Sequence, residues 1–237
     1  MKRLKFFFLV LLFFAVVEGK AFSSNIEVLQ VEGIIVPVVA DYIERGITKA
    51  EKDNSLCIIE LNTPGGLLNS TDKIVKRIVN SKVPIVVYVH PKTAWAASAG
   101  TFITLSAHIA AMTPGTTIGA AHPVTAGGEK ISKEHMKKIV NFSAKWMETI
   151  AKERGRNIKE ARLAVTESKS FRDDEALKVG LIDIRAESLQ KLISLINGRE
   201  VTLAGGKKIT IDTGKYRIIK NDMNGIEHFL QTISNPN

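Results

Sequence analysis

The 237-residue chain contains one cysteine, Cys57. A single thiol closes no internal disulfide, so packing alone must hold the fold. Cys57 lies in the apolar run Leu56–Ile59 and reads as a small core side chain. Aromatic residues are scarce, at 6%. The formal charge is +9, yet no basic stripe interleaves with aromatics, which argues against a nucleic-acid partner. No His/Cys cluster stands at ligand spacing, so nothing in the sequence calls for a metal or another cofactor. Long hydrophobic runs are absent beyond Phe6–Val17, and that run is shorter than the about 20 residues a bilayer span requires. Internal repeats and low-complexity linkers are absent as well.

What is present begins with a leader. Lys2, Arg3 and Lys5 precede the Phe6–Val17 run, and small residues follow at Gly19 and Ser23. A short basic segment before a short apolar core reads as a secretory signal over 1–23, or as an N-terminal anchor if it is retained. Either way the remaining domain is expected outside the cytoplasm. The length left over suits one well-packed domain with a small appendage.

From residue 26 the pattern alternates. Strands are expected at Ile26–Val31, Leu56–Leu61, Pro84–Val89 and Ile109–Met112, with a further one at Thr116–Ala121. Helices are expected at Val38–Glu51, Leu67–Asn80, Ser98–Ser106 and Ser132–Arg154. The Phe171–Asp183 segment reads as a helix stopped by Gly180 and followed by a strand. This alternation predicts an α/β fold with a helix-covered parallel sheet over 24–185. Residues 186–237 read as a small α+β appendage: a helix near Leu189–Leu195, a hairpin of Glu200–Leu203 and Lys208–Ile211, and a strand near Tyr216–Ile219. The stretch Thr125–Lys130, with Gly127-Gly128, has the most flexible composition.

Three pieces carry candidate chemistry. Asn62-Thr63-Pro64-Gly65-Gly66 follows a buried strand and exposes backbone N–H groups, which suit an oxyanion or an added peptide strand. Ser98 sits among Ala96, Ala97, Ala99 and Gly100 at a strand-to-helix junction, where a helix N-terminus favours negative charge. A plain turn and a plain N-cap serine account for each piece taken alone. A serine nucleophile needs a base. Lys138, near the start of the long helix, and His122, in Ala121-His122-Pro123, are the two candidates, and spacing leaves the choice open.

Four motifs occur in order: Pro64-Gly65-Gly66, Ala96-Ala97-Ser98-Ala99-Gly100, Met112–Ala120 and Glu175–Asp183. Together they resemble the protease domain of the NfeD family, membrane-associated serine proteases of the ClpP/crotonase superfamily. The resemblance runs from about Ile26 to Asp183. It implies a ClpP-like β-β-α superhelix and a Ser-Lys dyad of Ser98 and Lys138. It further implies an oxyanion hole at the Gly66 and Ala99 amides and a substrate wall at Gly65, Leu67 and Leu68. His122 stands where a triad histidine sits in ClpP and is the alternative base. Also implied are a homodimer and a stomatin-like membrane protein cut in an apolar segment.

The leading expectation is thus a serine endopeptidase acting on apolar peptide segments. A scaffold that binds peptide along the same edge without cutting it is the alternative. Acyl-CoA chemistry on the related fold fits poorly with a secretory leader, and the chain offers no convincing acidic pair for it.

Overall fold

The computed structural model describes residues 25–124 and 132–234; the leader and the Thr125–Lys130 stretch lie outside the described residues. Strands in chain order are β1 (Asn25–Glu32), β2 (Leu56–Asn62), β3 (Ile85–Val89), β4 (Trp95–Ala97), β5 (Ile109–Met112) and β6 (Thr117–Gly119). They continue as β7 (Ser170–Arg172), β8 (Ile184–Arg185), β9 (Glu200–Thr202), β10 (Lys208–Thr210) and β11 (Arg217–Lys220). The helices are α1 (Pro37–Lys52), α2 (Leu68–Val79), α3 (Ala99–Ser106) and α4 (Lys133–Glu153). After them come α5 (Ile158–Thr166), α6 (Asp173–Lys178), α7 (Leu189–Ile196) and α8 (Gly225–Ile233).

Six strands form one sheet in the order β11-β1-β2-β3-β5-β8, and every pair in it is parallel. Both faces are covered, which is why β2 and β3 read as continuous apolar runs rather than as alternating ones. One face, with Leu29, Ile59, Val87 and Ala110, packs on Ile43, Ile78, Ile103 and Met147 from the helices α1 to α4. The other face, with Val28, Ile58, Val86 and Tyr88, is covered by Leu192, Ile193 and Ile196 of α7 and by Val201 and Ile211 around the β9–β10 hairpin.

The 186–237 stretch therefore supplies the second cover of the sheet, and β11 adds a strand beside β1 with Asn25 opposite Arg217. Four elements were not expected from the sequence. Strands β4 and β7 are three residues long and pair with β6, and that length carries no readable periodicity. Helix α5 is capped by Asn157, whose side chain accepts from Glu160 N–H, and it buries only Ala161, Ala164 and Val165. Helix α8 buries no residue.

An arginine clasp closes the far end of α3. Arg156, 6% exposed, donates to Leu105 O at 3.1 Å, Ala107 O at 3.0 Å and Leu181 O at 3.3 Å, and pairs with Asp183 Oδ2 at 2.9 Å. Asp183 Oδ2 in turn accepts Ala110 N–H at 2.7 Å. Arg154 Nε donates to Ser106 O at 2.7 Å. The last carbonyls of α3, which no helical partner satisfies, are met by two guanidinium groups. Burial, and then repulsion from Arg156, bring Arg154 down to about 10. Replacing Arg156 with Met strands the half-buried Asp183 carboxylate and three carbonyls. Urea unfolding should show a loss of about 3 kcal/mol.

His108 abuts this clasp. Its Nδ1 accepts Ile85 N–H at 3.1 Å. Burial, then the charge of Arg154, push its pKa down to about 3. The folded state thus holds His108 neutral while the unfolded chain protonates it near its ordinary 6.5. The contribution is complete above about pH 6.5 and falls by about 1.4 kcal/mol per pH unit from there towards pH 3. A His108→Asn variant keeps an acceptor for Ile85 and does not titrate. Its stability should fall less than the parent's between pH 7 and pH 4 in urea titrations.

Candidate active site

The site forms where β2 ends. Thr63 is fully buried and crosses onto β4: its N–H donates to Trp95 O at 2.8 Å, and its carbonyl accepts Ala97 N–H at 3.1 Å. Its hydroxyl accepts Gly65 N–H at 3.0 Å and so shapes the turn that follows. Gly65 stands at φ +135, a region closed to other residues. A Cβ on Gly65 would lie 2.8 Å from Ser98 Cβ, and one on Gly66 would lie 2.2 Å from Ile35 O.

Ile35 pairs with this turn as a single parallel bridge. Ile35 N–H donates to Gly65 O, and Leu67 N–H donates to Ile35 O, both at 2.8 Å. In such a bridge the flanking residues spend their groups on the partner, so the N–H and C=O of Gly66 face the opposite side. Gly65, the residue before it, packs against Ser98. Among the described residues, neither the Gly66 N–H nor the Ala99 N–H has a backbone acceptor.

Ser98 is the junction of β4 and α3. It sits at φ 51 and ψ −112, and its side chain makes no capping bond to the helix. The plain N-cap explanation therefore fails, and the hydroxyl is left free of the helix it precedes. The backbone is fixed from outside: Ser98 N–H donates to Gly119 O at 3.0 Å. Thr101 Oγ1 bonds Ala96 O at 3.0 Å and Gly119 O at 2.9 Å, and it receives Gly119 N–H at 3.1 Å. All eight residues of α3 are buried, so Ser98 caps a helix that cannot shift easily. Strain of this kind at a non-glycine residue is characteristic of functional positions.

Leu67, Leu68 and Trp95 are 47%, 48% and 52% exposed around the turn and β4, giving the site apolar walls. The roles of Thr63 and Thr101 were not apparent in the sequence, where each is one threonine among small residues. No spacing pattern marks a hydroxyl that serves a remote backbone.

The structure brings Gly65, Gly66, Leu67, Leu68, Ser98 and Ala99 together but brings neither base to the serine. Lys138, in the second turn of α4, pairs with Glu134 at 3.4 Å with its side chain 76% exposed. It is a solvated lysine, with no apolar enclosure to desolvate it. His122 is half-buried, with Nδ1 3.0 Å from Val165 O. A carbonyl only accepts, so Nδ1 is the donor in this bond, and Nε2 is the acceptor of the neutral ring. No hydrogen bond joins either side chain to Ser98 among the described residues. The described residues also hold no cluster of three or more potential metal ligands.

A strained serine packed against a glycine turn at the end of a parallel α/β sheet has the architecture of a serine hydrolase. The model of the NfeD1b N-terminal domain matches residues 25–201, and the chain belongs to this family. The membrane-bound protease PH1510 of Pyrococcus horikoshii is 38% identical over 216 residues, which is 90% of this chain and 48% of that protein. The chain thus spans about half the length of this curated relative. Among solved structures, a serine-to-alanine variant of the 1510-N membrane-bound stomatin-specific protease is 36% identical with a TM-score of 0.77, covering 83% of this chain and 96% of that one. A lysine-to-alanine variant of the same protease, in complex with a substrate peptide, is 34% identical with a TM-score of 0.82, covering 89% and 97%. ClpP1 from Listeria monocytogenes, 20% identical with a TM-score of 0.55 over 70% of this chain and 94% of that one, shares the fold. The ClpP-like α/β fold expected from the sequence is the one found.

The backbone at Ser98 supplies a test independent of activity. A glycine there removes the penalty at φ 51, whereas an alanine keeps it. Thermal and urea unfolding should find Ser98→Gly about 1 kcal/mol more stable than Ser98→Ala, with Ser98→Ala close to the parent.

Proposed function

We propose that this domain is a serine endopeptidase with Ser98 as nucleophile and Lys138 as general base. One observation carries the reading: Ser98 is strained, free of capping duty and packed against Gly65, with the neighbouring Gly66 and Ala99 amides lacking a backbone acceptor among the described residues. Ser98 Oγ attacks the peptide carbonyl while neutral Lys138 takes its proton. The oxyanion of the tetrahedral intermediate is held by Gly66 N–H and Ala99 N–H. Lys138 returns the proton to the leaving amine, and water then hydrolyses the acyl-enzyme. Lys138 must leave Glu134 to do this, and catalytic contacts of this kind often form only with substrate in place.

The substrate strand lies along the free side of Gly65–Leu68, where Gly66 offers both an N–H and a C=O. Leu67, Leu68 and Trp95 favour apolar side chains at the cut. The relatives' names support this reading: the solved ones are a stomatin-specific protease in serine and lysine variants, one holding a substrate peptide. By the same likeness the partner is a stomatin-like membrane protein and the domain works at a membrane; the leader-like start of the sequence supports the extracytoplasmic side, and a homodimer is the assembly we infer. No helix of the described residues is long and apolar enough to cross a membrane.

His122 is the second reading for the base, because its Nδ1–H bond to Val165 O leaves Nε2 as an acceptor. Apolar peptides incubated with the chain and three variants separate the readings by mass spectrometry. Ser98→Ala and Lys138→Ala should each lose at least about 1000-fold in cleavage rate, with His122→Ala within about tenfold of the parent. An inactive His122→Ala beside an active Lys138→Ala reassigns the base. A parent that binds peptide without cutting it makes the domain a scaffold.

A further inference from the structure

Helix α8 is docked the wrong way round for a globular domain. Ile226, Phe229, Leu230 and Ile233 recur at helical spacing and form one stripe, with exposures of 72%, 62%, 39% and 61%. A surface helix ordinarily turns such a stripe to the core. Here the polar side is the one held. Arg45 on α1 donates to both Glu227 carboxylate oxygens, at 3.1 and 2.7 Å, and to Asn221 Oδ1 at 2.9 Å. Gln231 Nε2 donates to Glu32 O at 2.8 Å. The apolar stripe faces outward as a consequence.

The edge of the sheet beside α8 has a matching character. Strand β11 is the edge strand, and Lys215, Tyr216, Arg217 and Lys220 on and beside it are exposed. Cationic and amphipathic side chains next to an apolar stripe are the composition of a headgroup-level surface. Asn25, the first residue of β1, lies opposite Arg217 on this same edge. The apolar run ending at Val17, with Lys2, Arg3 and Lys5 before it, is separated from Asn25 only by residues 18–24. Fully extended, that connection reaches about 25 Å. A leader retained in a bilayer would hold the start of β1 within that distance of its surface.

We propose that α8 and the β11 edge are the face on which this domain rests on an anionic lipid bilayer, the α8 stripe lying at headgroup depth. The inference rests on the membrane association proposed above and adds which surface makes the contact. Because α8 buries no residue, its stripe can be altered without cutting into the core.

The test uses the full chain with vesicles of phosphatidylcholine and phosphatidylglycerol. Nitroxide labels are placed singly at Ile226→Cys, Leu230→Cys, Ile233→Cys and His228→Cys, the last on the opposite flank of the helix. Cys57 is buried and does not compete for the label. Accessibility to oxygen should exceed accessibility to a water-soluble nickel complex at positions 226, 230 and 233, and the order should reverse at 228. A chain that pellets with vesicles while all four labels stay open to nickel overturns this surface and leaves membrane association standing. A chain that does not pellet overturns both. Labels shielded without vesicles and broadened by one another place a second copy on the stripe and overturn the lipid assignment.

Discussion

The site depends on one close approach, that of the Gly65 backbone to Ser98. A Cβ on Gly65 would stand 2.8 Å from Ser98 Cβ, so a side chain there would separate the two segments. Everything around them is arranged to keep them together. Thr63 pairs with β4 on both sides of its peptide and holds the Gly65 amide through its hydroxyl. Gly100 admits the Thr63 methyl group, since a Cβ on it would lie 2.7 Å from Thr63 Cγ2. Ser98 carries the conformational cost of the junction, of order 1–3 kcal/mol. The eight buried residues of α3 are ample to offset it.

The helix so positioned is gripped at both ends. Thr101 and Gly119 fix its start, and Arg154 and Arg156 hold its final carbonyls. Electrostatic stabilisation of an oxyanion, the role proposed for the Ala99 amide, requires donors that are already in place, and this double anchorage makes Ala99 rigid. The contrast with α4 is informative. Its buried residues, Ser143, Ala144, Met147, Ile150 and Ala151, all lie in the second half, next to the arginine clasp. The half that carries Lys138 buries none. One structure thus joins a rigidly held Ser98, the proposed nucleophile, to the proposed base Lys138 on a helix segment that buries no side chain.

Much of this was legible in the residues. The long parallel strands and α1, α2 and α4 announce themselves by apolar runs and helical spacing, because each buries a whole face. Ser98 and the Gly65-Gly66 turn were visible as small residues placed where a strand gives way to a helix. The short strands β4 and β7 were not visible, since their pairing is fixed by remote partners rather than by local pattern. The two threonines escaped for the same reason. The solvent position of Lys138 is not legible either: its neighbours in the sequence include the apolar Met136, Ile139 and Phe142, yet Phe142 is itself 63% exposed. Helical spacing shows that side chains share a face and says nothing of whether that face is covered.

Helix α8 presents the same lesson in its sharpest form. Nine residues with no buried side chain are too few to persist as an isolated helix in water. Its order must come from its ends and its polar flank. Asn224 and Glu227 form a reciprocal capping box, and Glu227 also receives Arg45. Burial alone would raise the Glu227 pKa, but bonds to Arg45 and to the Asn224 amide bring it below the usual carboxylate value. An exposed ion pair contributes little by itself. Arg45, however, also holds Asn221, whose carbonyl accepts the buried hydroxyl of Tyr42 at 2.6 Å. The tail is thereby tied to the core through α1, and the apolar stripe of α8 is left outward by the geometry of that tie rather than by any want of hydrophobicity.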